Sequence, residues 1–238
     1  MGIKQIIAIA SAKGGVGKST VCANLAYSFS KNYKVGILDA DIYGPNQHIL
    51  FDLINLKPEV ETVDGKKLFL PIQTNNLTIN SMGFILDADK AAMWRGPMLS
   101  GAIKQLKELT KWGDLDYLFI DMPPGTGDEY LTVASEIKPD SIILVTSQSS
   151  MAVQDTIKSK AMLDRLNILM LGLIDNMSYS ECSHCNKKTN EYEPVDLEQA
   201  LNLPVLGSLP RNKDLTTFNP LKSPTFFEPI YNKLIKLL

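Results

Sequence analysis

Cysteine is scarce in this chain of 238 residues, which carries only Cys22, Cys182 and Cys185. A small, odd number excludes a disulfide framework as the stabilising principle and points to a reducing compartment. The expected location is therefore cytoplasmic. Long apolar runs are missing as well. The opening Met1–Ala10 segment is apolar but too short to span a bilayer, Lys13 interrupts it, and no small-residue cleavage site follows. A soluble protein without a secretory signal is expected. An excess of either charge is also lacking: 24 Lys+Arg stand against 26 Asp+Glu, a net charge of −2. Without a global basic field, general nucleic-acid binding has no support. There is no internal repeat and no low-complexity segment. What the chain does have is 45% hydrophobic residues, ample for a packed core and too many for disorder. Its length fits one large domain.

Short apolar runs recur between helical patterns. Ile6–Ala10, Val35–Leu38, Tyr117–Ile120, Ser141–Val145 and Leu169–Ile174 are continuous rather than alternating. That pattern suits parallel strands covered on both faces. Ser19–Ser30, Met98–Thr110, Asp128–Ile137 and Ala152–Leu166 read as the intervening helices. The alternation predicts an α/β fold with a doubly wound, mostly parallel sheet, whose ligands bind at the strand C-termini. A single domain over residues 1–238 is expected. Lys57–Met82, with Asp64-Gly65 as a turn signal, reads as a β-hairpin insertion. Ser178–Pro194 is too polar for a core element and reads as an exposed loop. The chain ends in a short helix.

The strongest local signal is Ser11-Ala12-Lys13-Gly14-Gly15-Val16-Gly17-Lys18-Ser19-Thr20, between a predicted strand and a predicted helix. This is the setting of a phosphate loop. Glycines let backbone N–H groups turn inward onto phosphate oxygens, and the helix N-terminus adds to the field. Lys18 is expected at the β- and γ-phosphates, and Ser19 at Mg²⁺. Thr20 begins the helix proper. Ala12 stands where the usual first glycine would be, and Lys13 precedes Gly14. The loop thus resembles the deviant Walker A motif of the MinD/ParA/nitrogenase-iron-protein class of ATPases. The resemblance implies that Lys13 crosses a dimer interface to the partner's nucleotide.

Two further segments carry carboxylates. Asp39 and Asp41 alternate at the end of the second strand, so an extended segment would turn both to one side. Such a pair beside a phosphate loop suits Mg²⁺ and the attacking water. Asp39 is expected near Mg²⁺, and the class resemblance gives Asp41 the water. Tyr117–Ile120 followed by Asp121 reads as a Walker B strand, with Asp121 holding Mg²⁺ through water. Pro123-Pro124-Gly125-Thr126-Gly127 is a stiff turn that reads as a nucleotide-sensing switch. Asn176 resembles the adenine-contacting asparagine of the class, and an amide can both donate to and accept from the base edge.

Cys182-Ser183-His184-Cys185 is a Cys-x-x-Cys pair on the polar stretch. The spacing lets two thiolates converge on one metal centre. Cys22, inside the first helix, reads as a packing residue. One pair is half a site, and His184, between the cysteines, cannot easily complete the same tetrahedron. Two copies of the chain would supply four thiolates, which suggests a centre bridging a symmetric dimer. A redox dithiol, an intrachain zinc site and no metal stay open as alternatives.

Taken together, Lys13–Thr20, Asp39–Asn46, Met93–Met98, Asp121–Asp128 and Asn176–Cys185 resemble the Mrp/ApbC family of iron–sulfur cluster carrier ATPases. The resemblance implies ATP hydrolysis, a homodimer, and a 4Fe-4S cluster bridged by Cys182 and Cys185 of both chains. It also implies a donor scaffold and recipient apoproteins as partners, with no nucleic acid and no stable membrane association. No role follows for Arg95. A positioning ATPase of the MinD/ParA kind is the competing reading, since Ile230–Leu238 faintly resembles a membrane anchor. A dimer bridged by structural zinc is the third.

Overall fold

The computed structural model describes residues 2–85, 96–182, 184–215, 218–221 and 224–238. Met93–Arg95 and Ser183 therefore lie outside the described residues. Each continuous apolar run becomes a strand buried on both faces. Strand β1 (Ile3–Ser11) lies between β7 (Leu115–Pro124) and β8 (Ser141–Thr146), parallel to both. β2 (Val35–Asp39) pairs with the far side of β7, and β9 (Leu169–Glu181) with the far side of β8. β6 (Leu77–Ser81) extends the sheet beyond β2 and β11 (Val205–Pro210) runs beside β9, both parallel. Two short antiparallel strands, β5 (Ile72–Thr74) and β10 (Lys188–Asn190), close its edges. The order is β10-β9-β8-β1-β7-β2-β6-β5. Asp39 stands opposite Asp121 in this register, and Ile9 opposite Asp121 on the other side. The acidic strand ends therefore meet at the edge where β1 turns into its loop.

Helices cover both faces. On one lie α1 (Lys18–Ser30), the single turn α2 (Gln47–Leu50) and the final α8 (Pro224–Leu234). On the other lie α4 (Gly96–Glu108), α5 (Asp128–Ile137), α6 (Ser150–Asp164) and the short α7 (Leu197–Leu201). A turn of helix, α3 (Met82–Ile85), follows β6 directly. The buried Phe29 of α1 sits at the centre of the first layer, with its ring 5.0–5.2 Å from Tyr117, Phe119 and Tyr231 in edge-on packing. The apolar face of α8 points inward through Phe227, Ile230 and Leu234. Among the described residues, no helix is long and apolar enough to cross a membrane.

Two expectations change. The whole of Lys57–Met82 reads from sequence as an insertion, but only its first half leaves the main sheet. There β3 (Glu59–Val63) and β4 (Lys66–Leu70) form a separate hairpin. Its turn residues Asp64 (φ 49°) and Gly65 (φ 76°) are both left-handed, as a two-residue turn between twisted strands requires. Leu77–Ser81 is instead a fully buried parallel strand of the main sheet. Its alternating apolar and polar residues resemble a half-exposed strand, yet the polar ones find partners inside. Asn80 Nδ2 donates to Thr110 Oγ1 at 2.7 Å, and Ser81 Oγ to Asp39 Oδ2 at 2.8 Å. The second change concerns Ser178–Pro194, which is no irregular loop. β9 runs on through Glu181 and folds back as β10. A backbone ladder at an exposed edge needs no apolar side chains, so composition concealed it.

Because Phe29 joins α1, α8 and β7, Phe29→Ala should lower the unfolding free energy by about 3–5 kcal/mol. Chemical denaturation followed by far-UV circular dichroism measures it. A loss under about 1 kcal/mol would contradict the packing described.

Candidate functional site

The loop after β1 opens the site. Gly15 (φ 81°) and Gly17 (φ 86°) are left-handed, and Gly17 caps α1. No side chain caps that helix and no acidic residue lies in its first turn. Its free N–H groups and positive end are thus left for an anion. The left-handed backbone angle of Gly17 favours glycine there, and a Cβ would have to push the Asn176 side chain aside. Lys13, Gly14, Gly15, Lys18, Ser19 and Asp41 line a cavity of about 560 Å³ above the loop. Val16 is buried beneath it. Among the described residues, the Lys13 ammonium has no ion-pair partner.

Under the cavity floor lies a buried charge cluster. The Lys18 ammonium donates to Asp121 Oδ1, and both groups are almost wholly buried. Burial works against the charge on Lys18, but Asp121, Asp41 and Asp39 outweigh it and raise its pKa. Burial, and then the Asp121 carboxylate, push Asp39 up to about 7. Burial also raises Asp41, opposed by Lys18 and by the Gly44 N–H, which donates to Asp41 Oδ1 at 3.0 Å.

β2 ends at Asp39, so the strand alternation does not extend to Asp41. Asp41 lines the cavity. Asp39 lies deeper, where its Oδ2 accepts from the N–H of Asn46, the N–H of Gln47 and the Ser81 hydroxyl, at 2.8–3.0 Å. The structure also brings in a residue that the sequence reading missed. Gln47 is fully buried and donates from Nε2 to Ser19 O at 3.0 Å and to Asp121 Oδ2 at 2.8 Å. Its partners lie 28 and 74 positions away in the chain, so no local pattern marks it. The Ser19 hydroxyl and these carboxylates form an all-oxygen set, and the buried Gln47 Oε1 lacks a partner among the described residues. Oxygen donors of this kind suit a hard cation such as Mg²⁺, though among the described residues no three carboxylates converge as a ready-made metal site.

A second cavity, of about 300 Å³, opens on the other side of Gly17 and Thr20. Asn176, Met177, Pro210 and Arg211 wall it. Asn176 Nδ2 donates to Val16 O at 2.8 Å, which leaves its carbonyl and second N–H for another group. Met177 takes a left-handed φ of 55°, rare for so large a residue. The strand expected over Leu169–Ile174 is thus longer than its apolar run: β9 bends at Met177 and continues to Glu181. Arg211 was also missed. It follows β11, a strand left unassigned from sequence, at the C-terminal edge where ligands of such sheets bind.

The continued strand leads to the cysteines. Cys182 and Cys185 lie exposed and free at the tip of the β9–β10 hairpin, and Cys22 is buried in α1. The tip is closed by Cys182 N–H on Lys187 O at 3.0 Å and Asn186 N–H on Cys182 O at 2.8 Å. Backbone N–H groups of His184 and Cys185, then the Cys185 thiol, hold the Cys182 pKa below the ordinary thiol value. Among the described residues, no group of three or more His, Cys, Asp or Glu is arranged to hold a metal. Near the hairpin base, Lys188 lies 4.6 Å over the Tyr179 ring and Arg211 N–H donates to Tyr179 O at 2.7 Å.

With iodoacetamide near neutral pH, Cys182 should therefore be carboxamidomethylated in the folded protein. Cys22, buried with its pKa pushed up, should react only after unfolding. Peptide mass spectrometry reads the order, and early labelling of Cys22 would contradict it.

Comparison with known proteins agrees with this geometry. A ParA family model, described as NUBPL iron-transfer P-loop NTPase, matches residues 2–232. The iron–sulfur cluster carrier protein of Pseudomonas fragi is 42% identical over 213 residues, covering 87% of this chain and 73% of that protein. Its counterpart in Aquifex aeolicus is 43% identical over 214 residues, or 88% of this chain and 58% of that protein. The iron–sulfur cluster transfer protein NUBPL of Dictyostelium discoideum is 40% identical over 190 residues, 79% of this chain and 58% of that protein. The chain thus spans only part of the length of these relatives. Among solved structures, a nucleotide-binding protein from Archaeoglobus fulgidus in complex with ADP superposes with a TM-score of 0.76 at 33% identity, covering 97% of this chain and 91% of that one. MinD from Pyrococcus horikoshii, complexed with Mg-ADP, shares the fold at a TM-score of 0.72 and 23% identity, covering 98% and 96%. The phosphate loop, the parallel sheet and these matches together make the chain a member of the NUBPL iron-transfer P-loop NTPase family, on the fold of the MinD/ParA ATPases.

Proposed function

We propose that this protein is an ATP-dependent iron–sulfur cluster carrier. It binds and hydrolyses ATP, and two copies bridge a 4Fe-4S cluster as cargo through Cys182 and Cys185 of each. It takes the cluster from a donor scaffold and delivers it to apoproteins in the cytoplasm, without nucleic acid or stable membrane association. The observation that carries this reading is the continuity of β9. One strand runs from Asn176, against the phosphate loop, to a free, exposed cysteine pair that makes half a metal site. The iron–sulfur carrier relatives support the cargo. The ADP complex of the Archaeoglobus protein supports the nucleotide.

In this reading the phosphates lie in the cavity against the N–H groups from Gly14 to Thr20 and the Lys18 ammonium, with Val16 packing the loop from below. Lys13, on the rim, reaches the partner's nucleotide. Asn176 meets the adenine edge. Ser19, with Asp121 and Asp39 behind it, would hold Mg²⁺, which would supply neutralising charge to the phosphates. Asp41 orients water toward the γ-phosphorus. As the water oxygen bonds to the γ-phosphorus, the bond to the β–γ bridging oxygen breaks, the water gives up a proton to solvent or phosphate, and ADP and inorganic phosphate leave. The inward packing of Phe227, Ile230 and Leu234 supports a packed terminal helix over a membrane anchor.

Asp41→Asn should lower the ATP turnover rate by about 10²–10⁴-fold while nucleotide affinity stays close to wild type. Steady-state hydrolysis and calorimetry separate the two, and unchanged turnover would remove Asp41 from the mechanism. The Cys182→Ala/Cys185→Ala double variant should lose cluster absorbance after anaerobic reconstitution and still bind nucleotide. Full retention of that absorbance would sink the cargo assignment.

A further inference from the structure

Gln47 occupies a place where an amide is chemically costly. It is fully buried, yet its Oε1 has no hydrogen-bond partner among the described residues. A leucine or methionine would fill similar space without stranding a polar atom. An amide differs from these in one useful way: it brings a donor to a carboxylate without adding charge. That property is used here at Asp121. The Nε2 group donates to Asp121 Oδ2 and to the Ser19 carbonyl, while the Gln47 backbone N–H donates to Asp39 Oδ2. Asp121 is thus held by two donors, Lys18 on Oδ1 and Gln47 on Oδ2. When phosphates draw Lys18 away, Gln47 is the donor that still fixes the rotation of the Asp121 carboxylate.

We infer that Gln47 is a positioning residue for Mg²⁺ in the nucleotide complex. It keeps Ser19 at the start of α1 and Asp121 at the end of β7 in one arrangement. The inference rests on the ATPase reading above. Gln47 touches neither nucleotide nor water in this account and acts through Ser19 and Asp121. Outer partners of metal ligands commonly change metal affinity about 10–100-fold when removed.

The test measures ADP affinity by calorimetry on the full chain, once in EDTA and once in excess Mg²⁺, and needs neither turnover nor cluster. Wild type should bind ADP more tightly with Mg²⁺. In Gln47→Leu, which removes the amide, that gain should fall about tenfold or more, with affinity in EDTA within about twofold of wild type. Gln47→Glu keeps the shape but removes the donor and should lose the gain as well. If the Leu variant does not fold, the Glu variant decides. An undiminished gain in either folded variant overturns the inference, as does a wild type that binds ADP equally with and without Mg²⁺. Equal loss of affinity in EDTA and in Mg²⁺ also overturns it, because that is the signature of a merely structural residue. A wild type that binds no nucleotide brings down the ATPase reading, and this inference with it.

Discussion

One ammonium among three carboxylates organises this molecule. Lys18 is buried with Asp121, while Asp39 and Asp41 add to the field that keeps it charged. An unpaired charge at that depth would be prohibitive, so the cluster survives only while its members stay together. They come from three separate strand ends: β1 through its loop, β2, and β7. The parallel register is what brings them into one place, with Asp39 opposite Asp121 across the β2–β7 pair. The remaining lone pairs are met by Ser81, Gln47 and backbone N–H groups. In the proposed function a nucleotide phosphate would compete for the same lysine, so binding would rearrange a cluster on which several elements depend. That is the physical opening through which a ligand can act at a distance.

The route to the cysteines lies in the bent strand. Asn176 is tied to the phosphate loop, Met177 turns the chain through a left-handed conformation, and Tyr179 is tied to Arg211. Arg211 walls the second cavity while its backbone grips the hairpin base, so that cavity and the cysteine hairpin share one residue. The cysteines themselves are exposed and held only by the turn. Such a site suits cargo that must be handed on better than a buried structural metal does.

How much of this was legible depended on sequence distance. The phosphate loop is contiguous, and its glycines answer to local backbone geometry, so residues 11–20 can be read directly. The apolar strands β1, β2, β7 and β8 announce themselves because both faces are covered. β6 did not, since Asn80 and Ser81 are polar residues satisfied by Thr110 and Asp39, far away in the chain. The cysteine hairpin was read as a loop because backbone pairing at an exposed edge leaves no hydrophobic trace. The alternation of Asp39 and Asp41 does not carry over for a related reason, since the strand stops at Asp39. Gln47 and Arg211 owe their places to partners that only the folded chain supplies. The proposed shared centre carries the same lesson further: Cys-x-x-Cys is visible in the sequence, and the second pair that such a centre would need would have to come from another copy.

The proposed carrier function requires two chains to complete what one cannot. Its most direct test is iron, sulfide and zinc analysis of protein purified without oxygen, together with its mass in solution by sedimentation. The account predicts a dimer carrying four irons and four acid-labile sulfides per two chains, held by four thiolates. A monomer with bound cluster, or a dimer holding zinc without sulfide, would contradict it.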